Sequence, residues 1–161
     1  MLRKRLIGSA LIGVVGGIAA STASQVSAAP KVIEMTQVPC QFLDVESDKG
    51  YASASKADCE AINEKSASER VASAKVITLT PGEYIFRVSN KNVPYELGFW
   101  LREKDYNWAN PLHKLNKISV SGGGLHQGKS KDYAVTLKPG EYLYSCPLNT
   151  TPDYKLVVTD N

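Results

Sequence analysis

From residue 31 onward most of the chain is built of short segments in which apolar residues alternate with polar ones or run continuously between turn residues. In Glu83 to Val88, Tyr84 and Phe86 alternate with Glu83, Ile85 and Arg87, and Tyr142 and Tyr144 repeat the arrangement later. A strand points successive side chains to opposite faces, so this spacing predicts one aromatic face on a core and one mixed face. Nine strands are expected: Lys31 to Thr36, Gln41 to Val45, Lys75 to Leu79, Glu83 to Ser89, Glu96 to Arg102, Leu115 to Val120, Lys131 to Leu137, Glu141 to Cys146 and Tyr154 to Thr159. Short strands at this spacing favour an all-β sandwich.

An internal echo supports two related strand-turn-strand elements. TLTPGEYIF at Thr78 to Phe86 returns as TLKPGEYLY at Thr136 to Tyr144, each copy with a Pro-Gly turn. Two copies fall short of a solenoid, which needs at least three stacked units. The exception to the strand pattern is a segment of about residues 53 to 74, rich in Ala, Ser, Lys and Glu, with Ser55 and Asp58 as an N-cap signal. It predicts a helix from about Lys56 to Arg70 with a thin apolar stripe, a short helical insertion over one end of the sandwich. Asp105 to Asn116 and Gly122 to Gly124 read as loops, and the glycines lack the helix and lysine of a phosphate-binding loop.

Residues 1 to 28 carry a basic start at Arg3, Lys4 and Arg5, an apolar run from Leu6 to Ala20 and a small-residue stretch. This is the pattern of a signal peptide cleaved after Ala28, leaving one domain at residues 29 to 161 in the periplasm or outside the cell. The apolar run is short of the roughly 20 residues of a bilayer span, so no membrane span is expected after cleavage. Three of the nineteen basic residues lie in this leader, leaving sixteen against sixteen acidic ones. A neutral mature chain gives no warrant for nucleic-acid binding.

Chemistry-bearing residues are few. Cys40, Cys59 and Cys146 are the three cysteines, an odd number in a compartment that permits disulfides, so one remains a free thiol, a metal ligand or an intermolecular link. His113 and His126 are the two histidines, both in expected loops. Met35 reads as core rather than ligand, and Tyr95, Phe99 and Trp100 are able to line a site, although aromatic residues at strand spacing are usually core. No histidine is coupled locally to a serine or cysteine, and there is no carboxylate pair in an apolar setting, so no enzyme is expected.

The second Pro-Gly element runs into LKPGEYLYSCPLNTTPDYKLVV, Leu137 to Val158, and here the chain resembles the cupredoxins. In that family a late PGxYxYxC strand delivers a cysteine to copper and the following loop supplies a histidine and often a methionine. Asn149 stands where the histidine would be, Pro94-Tyr95 where an earlier Pro-His would be, and no methionine follows Cys146. A conventional type 1 copper centre needs two imidazoles and a thiolate, and two imidazoles are missing. The chain also resembles the cupredoxin-like domain of periplasmic iron-uptake proteins of the EfeO type, through Cys40, the PGEYxxxC strand ending at Cys146, Glu96 after the first Pro-Gly element, and the run Cys146, Leu148, Pro152. Leu143 replaces an acidic position of that domain, and Cys59 is extra.

The resemblance implies a cupredoxin-like Greek-key β-sandwich with Cys40 and Cys146 near one pole. Three arrangements follow. Cys40 pairs with Cys59; or Cys40 pairs with Cys146; or Cys40 and Cys146, with Cys59 or Glu96, bind copper or iron. The expected function is correspondingly double: metal handling or electron transfer through Cys40, Cys146 and Glu96, or a metal-free, disulfide-stabilised binding or accessory module for an exported protein partner.

Overall fold

The computed structural model describes residues 29–160; the leader assigned from the sequence lies outside them. In chain order the elements are β1 (Lys31–Val38), β2 (Gln41–Phe42), α1 (Lys56–Ser73), β3 (Ile77–Leu79), β4 (Gly82–Asn90), β5 (Leu97–Glu103), α2 (Pro111–Asn116), β6 (Ser119–Leu125), β7 (Ser130–Leu137), β8 (Gly140–Ser145) and β9 (Tyr154–Val158). They form two sheets, one ordered β2-β1-β4-β7 and the other β3-β9-β8-β5-β6. The β1/β4 and β3/β9 pairs are parallel and the rest antiparallel, so the chain must cross repeatedly between the sheets. This is the all-β sandwich expected from the pattern of short strands, with the cupredoxin-like Greek-key topology that the resemblance implies.

The two echoed segments are two of these crossings. β3 in one sheet passes through Pro81-Gly82 to β4 in the other, and β7 passes through Pro139-Gly140 back to β8. Both corners have one construction: Gly82 and Gly140 each adopt φ +151°, and the tyrosine two residues on donates its hydroxyl to the carbonyl four residues back, Tyr84 to Thr80 at 2.8 Å and Tyr142 to Lys138 at 2.9 Å. That φ is closed to residues with a Cβ, which is why both turns carry glycine.

The alternation in β4 is as expected, with Tyr84, Phe86 and Val88 buried. Phe86 stacks on Phe99 at 5.6 Å, and Phe42 meets Tyr144 edge-on at 5.6 Å, so aromatic rings from both sheets fill the space between them. Met35, at 1% exposure, belongs to this core.

Three expectations need correction. The expected strand Leu115 to Val120 is displaced: Leu115 and Asn116 belong to α2, in what read as a loop, where Pro111 at the first turn and Asn110 as cap start a short helix. Gly122 to Gly124, read as a loop, lie inside β6. They pair there because the Glu96 carboxylate accepts the Gly124 N–H at 2.6 Å and the Tyr133 hydroxyl and Lys131 ammonium donate to the carbonyls of Gly122 and Gly123. The strand after Gln41 is only two residues long, because the chain then turns away to reach α1.

At one pole lie the Pro-Gly corners, the start of β1 and the end of β5, as the pairs Gly82/Leu137, Gly140/Val158, Lys31/Tyr84 and Glu103/Tyr142 show. At the other lie the end of β1, the start of β5 and the β8–β9 connection with Cys146.

Candidate functional site: the Cys146 pole

The helix α1 has an apolar stripe too thin to hold it, and only Cys59 and Arg70 of its residues are buried. Its start is fixed by Asp58, whose carboxylate accepts the N–H groups of Ala54 and Ser55 at 2.8 and 2.9 Å. Those bonds hold the Asp58 carboxyl below its usual range. Two attachments then fasten the helix to the pole. Cys59 forms a disulfide with Cys40 in the β1–β2 turn, and Arg70 reaches into the sandwich.

Arg70 is the centre of a buried polar cluster. Its guanidinium grips Glu46 with two bonds of 2.9 and 2.7 Å, donates to Asn63 Oδ1 at 2.7 Å and to the Cys40 carbonyl at 2.7 Å, and lies 3.0 Å from the Tyr154 hydroxyl. Tyr154 also hydrogen-bonds Glu46. The Glu46 and Arg70 side chains are 5% and 4% exposed. Burial pushes the Glu46 carboxyl up, but the bonds from Arg70 and Tyr154 outweigh it and hold the group below its ordinary range.

Cys40 has φ +64°, a left-handed conformation uncommon outside glycine. It is pinned there through its side chain by the disulfide, through its carbonyl by Arg70, and through its N–H by Asn149 Oδ1 at 2.9 Å. Asn149 spends the rest of its amide on β1: its Nδ2 donates to the Val38 carbonyl at 2.8 Å and to Gln37 Oε1 at 3.3 Å. Gln37 in turn donates to the Gly98 carbonyl at 2.8 Å. Asn149 is fully buried and thus joins β1, the β1–β2 turn and the β8–β9 connection. Tyr95 completes the arrangement, its hydroxyl 2.7 Å from Ser53 Oγ and 3.5 Å from Asn149 Oδ1.

Cys146 is the free cysteine and is buried. Its Sγ accepts the Asn149 N–H at 3.2 Å and the Gly98 N–H at 3.4 Å. Burial pushes the thiol up, against these N–H bonds. Beside it, between β5, β6 and the loop after Cys146, lies an open, mainly apolar groove of about 290 Å³ lined by Gly98, Trp100, Gly122, Gly123, Pro147 and Leu148.

The structure places the expected site residues as follows. Of the three cysteine arrangements it holds Cys40–Cys59, so Cys40 has no thiolate to offer, and the metal set Cys40, Cys146, Glu96 is not assembled as a set of free donors. Glu96 is exposed and engaged with Gly124 in β6. His126 is exposed in the β6–β7 turn, and His113 is at the far pole, where its Nδ1 accepts the Asn107 N–H at 2.9 Å. Among the described residues no three His, Cys, Asp or Glu side chains are grouped to hold a metal ion. Copper, which the resemblance implies, would find one thiol here, with neutral amide and phenol groups already bonded to protein where a type 1 centre has imidazoles; this donor set does not fit it.

Sequence reasoning missed Gln37 and the Glu46–Arg70–Tyr154 cluster. Gln37 follows Ile33 and Met35 at period two on the inward face of β1, which is a signal of a buried amide; nothing in the spacing ties Glu46 to Arg70.

No family model matches the sequence, and no curated protein matches it. Solved structures do. A structure of auracyanin B is 17% identical, covers 84% of this chain and 94% of its own, with a TM-score of 0.49. Auracyanin A, described as a "blue" copper protein from Chloroflexus aurantiacus, is 14% identical over 81% and 99% of the two chains, with a TM-score of 0.48. A laccase from Pediococcus acidilactici is 12% identical over 90% of this chain but 30% of its own, with a TM-score of 0.39. These likenesses are too distant to carry function, and the cupredoxin-like fold stands on strand order, register and the paired crossings.

Proposed function

We propose that this chain is an exported, metal-free cupredoxin-like binding module that engages a protein partner and catalyses no reaction. The observation that carries this reading is Asn149: both ends of its buried amide are committed to protein groups, so it ties the pole together without an ion. The Cys40–Cys59 disulfide belongs with an oxidising compartment, in keeping with the leader of residues 1 to 28. The groove beside Cys146 is the surface offered to the partner, with bare glycine backbone between Trp100 and Leu148. The thiol, buried and pushed up, is no nucleophile in the folded protein. The alternative of copper or iron handling, and with it kinship to the EfeO-type domain, keeps one feature, the Cys146 thiol at the appropriate pole.

Elemental analysis of protein purified from the exported fraction, with a thiol count and a Cys146→Ser control, separates the two. The proposal expects substoichiometric copper and iron, and one thiol that titrates only after denaturation. Stoichiometric metal in the wild type, lost in Cys146→Ser, would establish the metal reading instead.

A further inference from the structure

The groove beside Cys146 is apolar, but the chain around it carries a charge of one sign. The three stretches that form it, residues 90 to 100, 120 to 131 and 145 to 152, hold Lys91, Lys129 and Lys131 and a single acid, Glu96. All three lysines are exposed, and none has an ion-pair partner among the described residues. The acids nearest along the chain are matched already, Asp132 by Arg87 at 2.8 Å and Asp153 by Arg102 at 2.6 Å. Asp58, at the start of α1, is turned to the N–H groups of Ala54 and Ser55, and Glu96 accepts the Gly124 N–H. Three cations therefore stand against one carboxylate in a domain whose charges otherwise balance, which is local segregation rather than overall charge.

The backbone holds these charges in place. The Lys131 ammonium donates to the Gly123 carbonyl, which sets it on the rim of the groove. Lys91 and Lys129 lie in two connections bolted together: the Asn90 N–H donates to the Lys129 carbonyl at 2.9 Å, the Gly128 N–H to the Asn90 carbonyl at 2.7 Å, and the Lys91 N–H to the Gln37 carbonyl at 3.0 Å. The floor of the groove is kept bare as well. A Cβ at Gly123 would lie 2.8 Å from Glu96 Oε1 and 3.9 Å from Leu148 Cδ1, so glycine there leaves room for a side chain from outside.

We propose that the partner engaged by this groove presents an acidic surface, with an apolar side chain entering between Trp100 and Leu148 and carboxylates meeting Lys91, Lys129 and Lys131. An apolar centre with a charged, solvent-accessible rim is the anatomy of a protein interface, and charge complementarity at the rim selects among partners and speeds their encounter. The inference rests on the reading of the groove as the partner surface and adds the chemistry of the partner.

The test titrates nitrogen-15-labelled protein from the exported fraction with three end-blocked peptides, followed by amide chemical shifts. The first has one phenylalanine flanked on each side by three glutamates; the second has lysines for the glutamates; the third has serine for the phenylalanine. The glutamate–phenylalanine peptide is expected to shift Gly122, Gly123 and Leu148 together with Lys91 and Lys129, less so as salt rises. The lysine peptide is expected to shift none of them, and the serine peptide to bind about tenfold more weakly. Lys91→Glu combined with Lys129→Glu, which leaves the groove itself intact, is expected to weaken the first peptide about tenfold, with near-ultraviolet circular dichroism confirming the native fold. No shift at these amides with the glutamate–phenylalanine peptide, or an equal response to the lysine peptide, would overturn the proposal. Elemental analysis judges the metal-free reading separately, so metal-free protein that ignores the glutamate–phenylalanine peptide overturns this inference and leaves that reading standing.

Discussion

Replacing Asn149 by alanine tests whether an amide closes the Cys146 pole. The side chain satisfies two buried backbone groups, the Cys40 N–H at 2.9 Å and the Val38 carbonyl at 2.8 Å, and a third bond reaches Gln37 at 3.3 Å. Alanine removes all three partners and brings none. A buried group left unsatisfied costs about 1 to 3 kcal/mol, so the two backbone groups alone predict a loss of about 2 to 6 kcal/mol. That is a large part of the roughly 5 to 15 kcal/mol by which a domain of this size is stable. Cys40 would also lose one of the three contacts that hold its left-handed φ. The assay is urea unfolding with the disulfide kept oxidised, reading midpoint and slope together. Leu148→Ala, at a neighbouring position that is 39% exposed, is the control, expected to change stability by about 0.5 kcal/mol. Asn149→Asp sharpens the test. It keeps an acceptor for the Cys40 N–H but turns the donor into an acceptor facing the Val38 carbonyl, so it should destabilise as well. An Asn149→Ala protein within about 1 kcal/mol of the wild type would refute the reasoning, because the pole would then be held by something other than this amide.

Cys59→Ala removes a crosslink of sequence separation 19 and is expected to cost about 3 kcal/mol, measured by thermal and urea unfolding, with α1 the first element to lose amide-exchange protection. Arg70→Met leaves Glu46 buried without its cation and should cost about 3 to 5 kcal/mol, whereas Glu46→Gln combined with Arg70→Met should cost less than Arg70→Met alone. Because the folded-state Glu46 carboxyl lies below its ordinary 4.5, its contribution is complete above that pH and is lost as pH falls through the folded value, so Glu46→Gln should flatten the acid limb of stability against pH. Gly82→Ala and Gly140→Ala place a Cβ at φ +151° and should each cost about 1 to 3 kcal/mol, nearly equal to one another because the two corners are built alike; a neutral result at either would contradict the shared geometry.

Local chemistry made much of the fold legible. Period-two aromatic spacing, the repeated Pro-Gly-Glu-Tyr turns and the Ser55/Asp58 start of α1 each depend on residues close in the chain, and the strands and helix they announce are present. The displaced strand around Leu115 and the glycines of β6 were misread for one reason. Their state is decided by partners from other elements, Glu96, Lys131 and Tyr133 on one side and the clip between Asn107 and His113 on the other.

The candidate site divides in the same way. From the sequence alone came the odd cysteine count, the late cysteine after a PGEYxY strand, and the amide standing where a copper protein has an imidazole. Only the tertiary structure decided which cysteine is free, since a disulfide depends on which two sulfurs the fold brings together, and it chose Cys59 on α1 for Cys40. It alone joined Glu46 to Arg70 and Asn149 to Cys40 and Val38, contacts between residues 24, 109 and 111 positions apart. Sequence periodicity reports which face a side chain takes, whereas a polar partner so distant in the chain is chosen by the register and crossing of strands, which exist only once the two sheets have packed.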